Sequence, residues 1–196
     1  MSGSLLQPAW LDDAVAEFYQ HGLVVIANAC PATLTAALLA EAQQADLQPA
    51  GVGRGHQLQQ NQQIRRDSTC WLDGHSATQQ QYLQLMELLQ QAMNRRCFLG
   101  LTHYECHFAR YQQGDFYQKH LDAFKGRSNR VLTSVFYLNS VAQGGALQIY
   151  NEDEQPLLQV QPTAGTLVLF ESERFPHEVL SASDERFSIA GWFRKD

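Results

Sequence analysis

The sequence predicts a mainly β fold, a two-sheet jelly roll in the second half with helices from the first half packed outside it. Three observations carry that expectation. Apolar residues recur at helical spacing as far as about residue 97, and from Leu101 onward eight short β-type runs alternate with turn residues. The chain has 196 residues, 44% of them hydrophobic, which suits one domain with a single buried core. The expected organisation is one domain over 1–196, with 1–100 as mainly helical support and 101–196 as the jelly-roll core.

Each element has its own reason. Trp10 to His21 sets Leu11, Val15 and Phe18 at helical spacing, and Gly22 stops the helix. Leu23 to Ile26 is an apolar run that reads as a buried strand. Pro31 opens a second helix to about Ala45, with a stripe of Leu34, Leu38 and Leu39. Pro49 to Gln63, rich in Gly and Gln and carrying Arg54 and His56, reads as a mobile loop. Ser76 to Cys97 is a third helix with Tyr82, Leu85, Leu89 and Met93 on one face, and either Ser76 or Thr78 can cap it. The β-type runs are 103–111, 116–120, 131–139, 146–150, 157–160, 166–170, 178–181 and 186–193.

Composition excludes several classes. A formal net charge of −6 argues against a phosphate-backbone binder, so no nucleic-acid partner is expected. No apolar run approaches the roughly 20 residues that cross a bilayer, so no membrane is expected either. The N-terminus does not read as a signal peptide, which makes the cytoplasm the expected compartment. Cys30, Cys70, Cys97 and Cys106 lack C-x-x-C spacing, against a zinc cluster or disulfide framework, and Cys106 reads as packing. Eleven arginines stand against three lysines, a bias that suits directional recognition of carboxylates.

The chemistry concentrates in four residues. His120 and Asp122 are two apart, so on a strand both would face one way, and a returning strand could bring His177 from 55 positions later. Two imidazoles and one carboxylate leave coordination positions open, as in non-haem iron oxygenases. An H-x-D triplet alone is weak, and a surface His–Asp pair is its bland alternative. Arg186, nine residues after His177, changes the balance. Such a buried arginine needs a carboxylate, from Asp184, Glu185 or a distant acid, or from a dicarboxylate ligand.

His120-Leu-Asp122, Pro176-His-Glu-Val179 and Arg186-Phe-Ser-Ile-Ala-Gly-Trp192 resemble the core of the 2-oxoglutarate oxygenase superfamily. The closer resemblance is to the prolyl hydroxylases that act on hypoxia-inducible factor and to their bacterial relatives, over roughly Ile64 to the C-terminus. It implies a double-stranded β-helix and a dioxygenase of prolyl 4-hydroxylase type. His120, Asp122 and His177 would bind Fe(II). Arg186 and Tyr137 would hold the distal carboxylate of 2-oxoglutarate, with Tyr111 near its other end. Trp192, Val179 and Leu147 would wall the pocket, O2 would be the oxidant and ascorbate the reductant. Tyr117, Arg65, Asp67, Trp71 and Arg130 would meet the substrate, under a finger loop at about 51–67. The implied partner is a protein or peptide carrying a prolyl residue, with the translation factor elongation factor Tu as the candidate among bacterial relatives. Two positions depart from the family. His107, where animal relatives are apolar, shares a strand face with Tyr111 and could hydrogen-bond in the pocket or line it, and Ala190 replaces a hydroxyl residue. The alternatives are an oxygenase of a non-prolyl or small-molecule substrate, and a non-catalytic metal- or ligand-binding jelly roll.

Overall fold

Helix α1 (Leu11–His21) buries Leu11, Ala14, Val15 and Phe18 and ends where Gly22 turns to φ +71°, its N–H closing on the Phe18 carbonyl. Strand β1 (Leu23–Ile26), helix α2 (Ala32–Gln44), the short strands β2 (Gln48–Pro49) and β3 (Ser68–Trp71), and helix α3 (Ala77–Cys97) complete the first half. Ser76 caps α3 by accepting the Gln79 N–H, and Tyr82, Leu85, Leu89 and Met93 are all buried, as their spacing predicts. The second half is strands throughout: β4 (His103–Tyr111), β5 (Tyr117–His120), β6 (Arg130–Tyr137), β7 (Leu147–Tyr150), β8 (Pro156–Val160), β9 (Leu167–Glu171), β10 (His177–Val179) and β11 (Arg186–Arg194). This computed structural model describes residues 7–51, 61–123 and 128–196. Most of the expected finger loop, including Arg54 and His56, lies outside the described residues.

The strands form two antiparallel sheets. The larger has the order β1-β9-β6-β11-β4-β3-β2 and the smaller β5-β10-β7-β8. The helices cover one face of the large sheet, where Phe108, Leu132, Phe136, Ile189 and Phe193 pack against α1–α3. Its other face looks toward the small sheet across Ala109, Tyr111, Val135, Tyr137, Val168 and Phe170. This is a double-stranded β-helix with helical support. Among the described residues no helix is long and apolar enough to cross a membrane.

Three expectations are corrected. Leu23–Ile26 is an edge strand, with Val25 39% exposed, because only β9 pairs with it. The first half also supplies β2 and β3, which two and four residues of weak pattern do not announce; pairing of β3 with β4, and of β2 with β3, creates them. Asp122 is not on the strand with His120, since β5 ends at His120.

Glycine marks one close approach. Gly191, inside β11, faces the Tyr104 hydroxyl so closely that a Cβ would collide with it. That hydroxyl bonds Tyr82 at 3.1 Å and Ser134 at 2.9 Å beneath the sheet.

Candidate active site

The site is laid out in cross-strand rows on the inner face of the large sheet. Side chains alternate along β11, so Arg186, Ser188, Ala190 and Trp192 face the cleft while Phe187, Ile189 and Phe193 enter the helix-covered core. Register fixes their neighbours: Arg186 lies beside Tyr111, Ser188 between Ala109 and Tyr137, Ala190 between His107 and Val135, and Trp192 between Glu105 and Thr133.

The candidate metal-binding set comes mainly from the small sheet. His177 pairs directly with His120 across β10 and β5. Both rings make the same local bond: Nδ1 of His120 lies 2.8 Å from the Gln118 carbonyl and Nδ1 of His177 lies 3.1 Å from that of Phe175. A carbonyl can only accept, so each Nδ1 carries the proton and each Nε2 presents a lone pair. Asp122, just past β5, sets Oδ1 3.4 Å from the His120 Nε2 and Oδ2 3.5 Å from the His177 Nε2. One ligand atom from each of the three residues lies within 4.8 Å of the others.

Electrostatics favour the deprotonated forms of His177 and Asp122. Burial lowers His177 to about 4, reinforced by His120 and only partly opposed by Asp122. Burial raises Asp122, but the two imidazoles and the Trp192 N–H outweigh it and hold the carboxyl well below the usual range. A neutral imidazole at His177 beside the Asp122 carboxylate is the ligand state a divalent cation requires.

Arg186 opens β11 at the other end of the cleft. It is 1% exposed, with its guanidinium 4.8 Å from the Tyr111 ring and 4.9 Å from the Tyr137 ring. Its Nε and Nη1 and the Tyr137 hydroxyl are buried without a hydrogen-bond partner. Neither Asp184 nor Glu185 satisfies it; Glu185 instead approaches Arg110 at 3.9 Å. Three orphaned donors converging in one apolar recess call for a carboxylate. Asn139 fixes the strand start, accepting from the Phe187 N–H at 2.7 Å and donating to the Glu185 carbonyl at 2.8 Å. Gly144 and Gly145 both have positive φ, and a Cβ on Gly145 would lie 3.6 Å from Arg186 Cδ.

The expected wall and mouth residues gather around this axis. Leu147 and Val179 are buried partners across β7 and β10. Tyr117 stacks on His120 at 3.6 Å between ring centroids, and the Arg65 guanidinium sits 4.2 Å over its other side. Arg65 and Asp67 form a buried ion pair. They make two bonds, 2.7 and 2.5 Å, with Asp67 1% exposed. Trp71, 57% exposed, stands edge-on to His107 at 5.1 Å. His107 donates through Nδ1 to the Phe108 carbonyl at 3.0 Å, and burial lowers it to about 4, so it is neutral. The two departures from the family pattern, His107 and Ala190, are direct cross-strand partners.

Sequence reasoning missed the groups that orient Asp122. Oδ2 accepts from the Thr133 hydroxyl at 2.8 Å and from the Trp192 indole N–H at 2.9 Å, and the Thr133 hydroxyl also lies 2.9 Å from that of Ser172. Thr133 resembles any strand hydroxyl in sequence, and its one signal is polarity in an otherwise apolar strand; Ser172, in the turn just past β9, carries no such signal.

Two histidines and a carboxylate on one rim of a double-stranded β-helix, above a buried unpaired arginine, define a non-haem metal-dependent oxygenase. A family model of the 2OG-Fe(II) oxygenase superfamily matches residues 106–194. The structure is similar to a Pseudomonas putida prolyl-4-hydroxylase, at 39% identity and TM-score 0.86, covering 95% of this chain and 99% of that one. The chain belongs to the 2OG-Fe(II) oxygenase superfamily and is prolyl hydroxylase-like within it. That family uses Fe(II), 2-oxoglutarate and O2. The fold is also shared with a prolyl hydroxylase of Trichoplax adhaerens, at 24% identity and TM-score 0.82 over 94% of this chain and 89% of that one. Curated relatives include Egl nine homolog 1 of Rattus norvegicus, 29% identical over 142 residues, 66% of this chain and 41% of the relative. The hypoxia-inducible factor prolyl hydroxylase of Caenorhabditis elegans is 34% identical over 85 residues, 41% of this chain and 12% of the relative. The match thus spans well under half the length of these curated relatives.

Proposed function

We propose that this chain hydroxylates a prolyl residue of a protein substrate, using Fe(II), 2-oxoglutarate and O2, with elongation factor Tu as the candidate substrate. The observation that carries the reading is Arg186, a buried cation with unmet donors beside an unmet Tyr137 hydroxyl, in the same cleft as His120, Asp122 and His177. A non-catalytic jelly roll would have no use for that pairing. Prolyl specificity is supported by the names of the relatives, one of which is solved with a hypoxia-inducible factor peptide fragment. Four free cysteines suit a reducing compartment, and we place the activity in the cytoplasm.

The residues fit the metal and the co-substrate. The lone pairs of the His120 and His177 Nε2 atoms and one oxygen of Asp122 would hold Fe(II). The Arg186 guanidinium and the Tyr137 hydroxyl would bind the distal carboxylate, with the Tyr111 ring as a wall. Bound there, iron and 2-oxoglutarate supply the oxidation that couples loss of CO2 to hydroxylation of a C–H bond by O2. The protein's share is placement and dryness. Leu147, Val179 and Phe170 exclude water, and the fixed His120 and His177 tautomers spend no reorganisation on binding. Tyr117, the Arg65–Asp67 pair and Trp71 form the rim that a substrate meets.

The test is succinate formation from 2-oxoglutarate with Fe(II) and ascorbate, with and without elongation factor Tu, against Asp122→Ala. Turnover that needs Asp122 and rises with the protein, with mass spectrometry placing the oxygen on a proline, is the expected result. Asp122-dependent turnover indifferent to any prolyl protein would reassign the substrate to another side chain or a small molecule. Its absence in folded, iron-loaded protein would overturn the reading.

A further inference from the structure

Arg130 lies at the cleft mouth, where a substrate contact is the obvious role, yet its charge is already engaged on both sides. Its guanidinium carbon sits 3.7 Å over the Trp192 ring, and its Nη2 and Nε reach Glu105 Oε1 at 3.1 and 3.3 Å. Glu105 cannot drift with it, because Arg194 holds the other oxygen, Oε2, at 2.7 Å and is itself tied to Asn129. Arg130 is therefore a fixed plate lying on one face of the indole.

What the indole does makes this consequential. Its N–H and the Thr133 hydroxyl both donate to Asp122 Oδ2. Those two bonds occupy the lone pairs of Oδ2, leaving Oδ1, which faces the His120 Nε2, as the oxygen free to ligate. The angle of the Trp192 ring thus decides which carboxylate oxygen is offered. The ring also packs against His107 at 5.4 Å and Trp71 at 6.3 Å between centroids, and Trp71 is largely exposed. Of these neighbours Arg130 lies nearest the ring, at 3.7 Å.

We propose that Arg130 is a positioning residue for the metal-ligating carboxylate, acting through Trp192: held by Glu105, it fixes the indole whose N–H reserves Asp122 Oδ2 and leaves Oδ1 for the metal. This rests on the reading that His120, Asp122 and His177 bind a divalent cation. Outer partners of ligating groups typically contribute about 10- to 100-fold in metal affinity. Trp192, which touches the carboxylate, belongs at about 10-fold, and Arg130, one step removed, at about 3-fold.

The test is titration of the metal-free full chain with Mn(II), followed by electron paramagnetic resonance, for wild type, R130Q, W192F and the double variant. Circular dichroism melting of each confirms folding, and R130K stands in if R130Q does not fold. If Arg130 acts through Trp192, R130Q weakens Mn(II) binding about 3-fold, W192F about 10-fold, and adding R130Q to W192F changes nothing further. A weakening by R130Q of the same size in the W192F background would overturn the proposal, because the two residues would then act independently. Unchanged Mn(II) affinity in R130Q, with a raised KM for a prolyl peptide, would overturn it in favour of a substrate contact. D122A separates the two levels: if wild type binds Mn(II) no better than D122A, the metal site itself is wrong, and this proposal falls with it.

Discussion

Replacing Arg186 by methionine should have opposite effects on the fold and on the co-substrate. The guanidinium is 1% exposed, and two of its nitrogens lack a partner. A buried charge without compensation costs several kcal/mol, while each of its two ring contacts returns only about 0.5–2 kcal/mol. Methionine fills a similar volume and removes the charge, so the ligand-free protein should hold its stability or gain. Binding moves the other way. Truncating one partner of a buried charged pair costs roughly 2–5 kcal/mol, which at 1.4 kcal/mol per tenfold is roughly 30- to 4,000-fold in the 2-oxoglutarate Kd. The assay is thermal unfolding with Mn(II) as an inert metal, with and without 2-oxoglutarate at about 100 times the wild-type Kd. Wild type should gain about 2.7 kcal/mol, or about 5–11 °C in Tm for a chain of this size, and R186M at most about 0.9 kcal/mol. The reasoning is refuted if R186M loses more than about 2 kcal/mol without ligand, a cost typical of breaking a satisfied pair. It is equally refuted if 2-oxoglutarate stabilises the variant as much as wild type.

Three further predictions concern the frame around the site. His107 is held to about 4 by burial, whereas an unfolded chain takes up that proton near 6.5, so its share of stability is complete above about pH 6.5 and falls by about 3 kcal/mol down to pH 4. Urea midpoints at pH 7 and 4.5 should show His107→Met losing less on acidification than wild type, with the remaining loss including His177, held to about 4 in the metal-free protein; equal losses would refute the assignment. Gly144→Ala should cost about 2–3 kcal/mol, since φ is +68° and a Cβ would strike the Ser181 carbonyl; an unchanged urea midpoint would show that the turn can relax. Phe98 caps α3 at φ +55° while 86% exposed, so Phe98→Gly should raise stability by about 1 kcal/mol, read as a Tm increase of a few degrees.

What the sequence made legible depended on whether a residue's role was local. His177 and Arg186 could be assigned because strand spacing and a charged side chain in an apolar run are visible along the chain. Asp122 reached the predicted place by another route, from a bend beyond β5 and under the pull of Thr133 and Trp192. Thr133 and Glu105 were illegible for a shared reason: a hydroxyl or a carboxylate on a strand acquires its partner only from register with strands dozens of residues away. Strand β3 was hidden in the same way, its four residues stabilised by β4 rather than by their own pattern. The burial of the Arg65–Asp67 pair was equally hidden, because sequence does not show that Tyr117 and the sheet would close over it.

Strand β11 works as a ruler. Arg186 and Trp192 stand six residues apart on one face, about 20 Å at strand rise, and the same strand sends Phe187, Ile189 and Phe193 into the opposite core. One residue inserted or deleted between them would swap the faces, delivering phenylalanines to the cleft and a guanidinium to the oil. The strand therefore admits change by substitution only. Pocket chemistry can drift at Ala190 and its neighbour His107 while the span between Arg186 and Trp192 stays fixed.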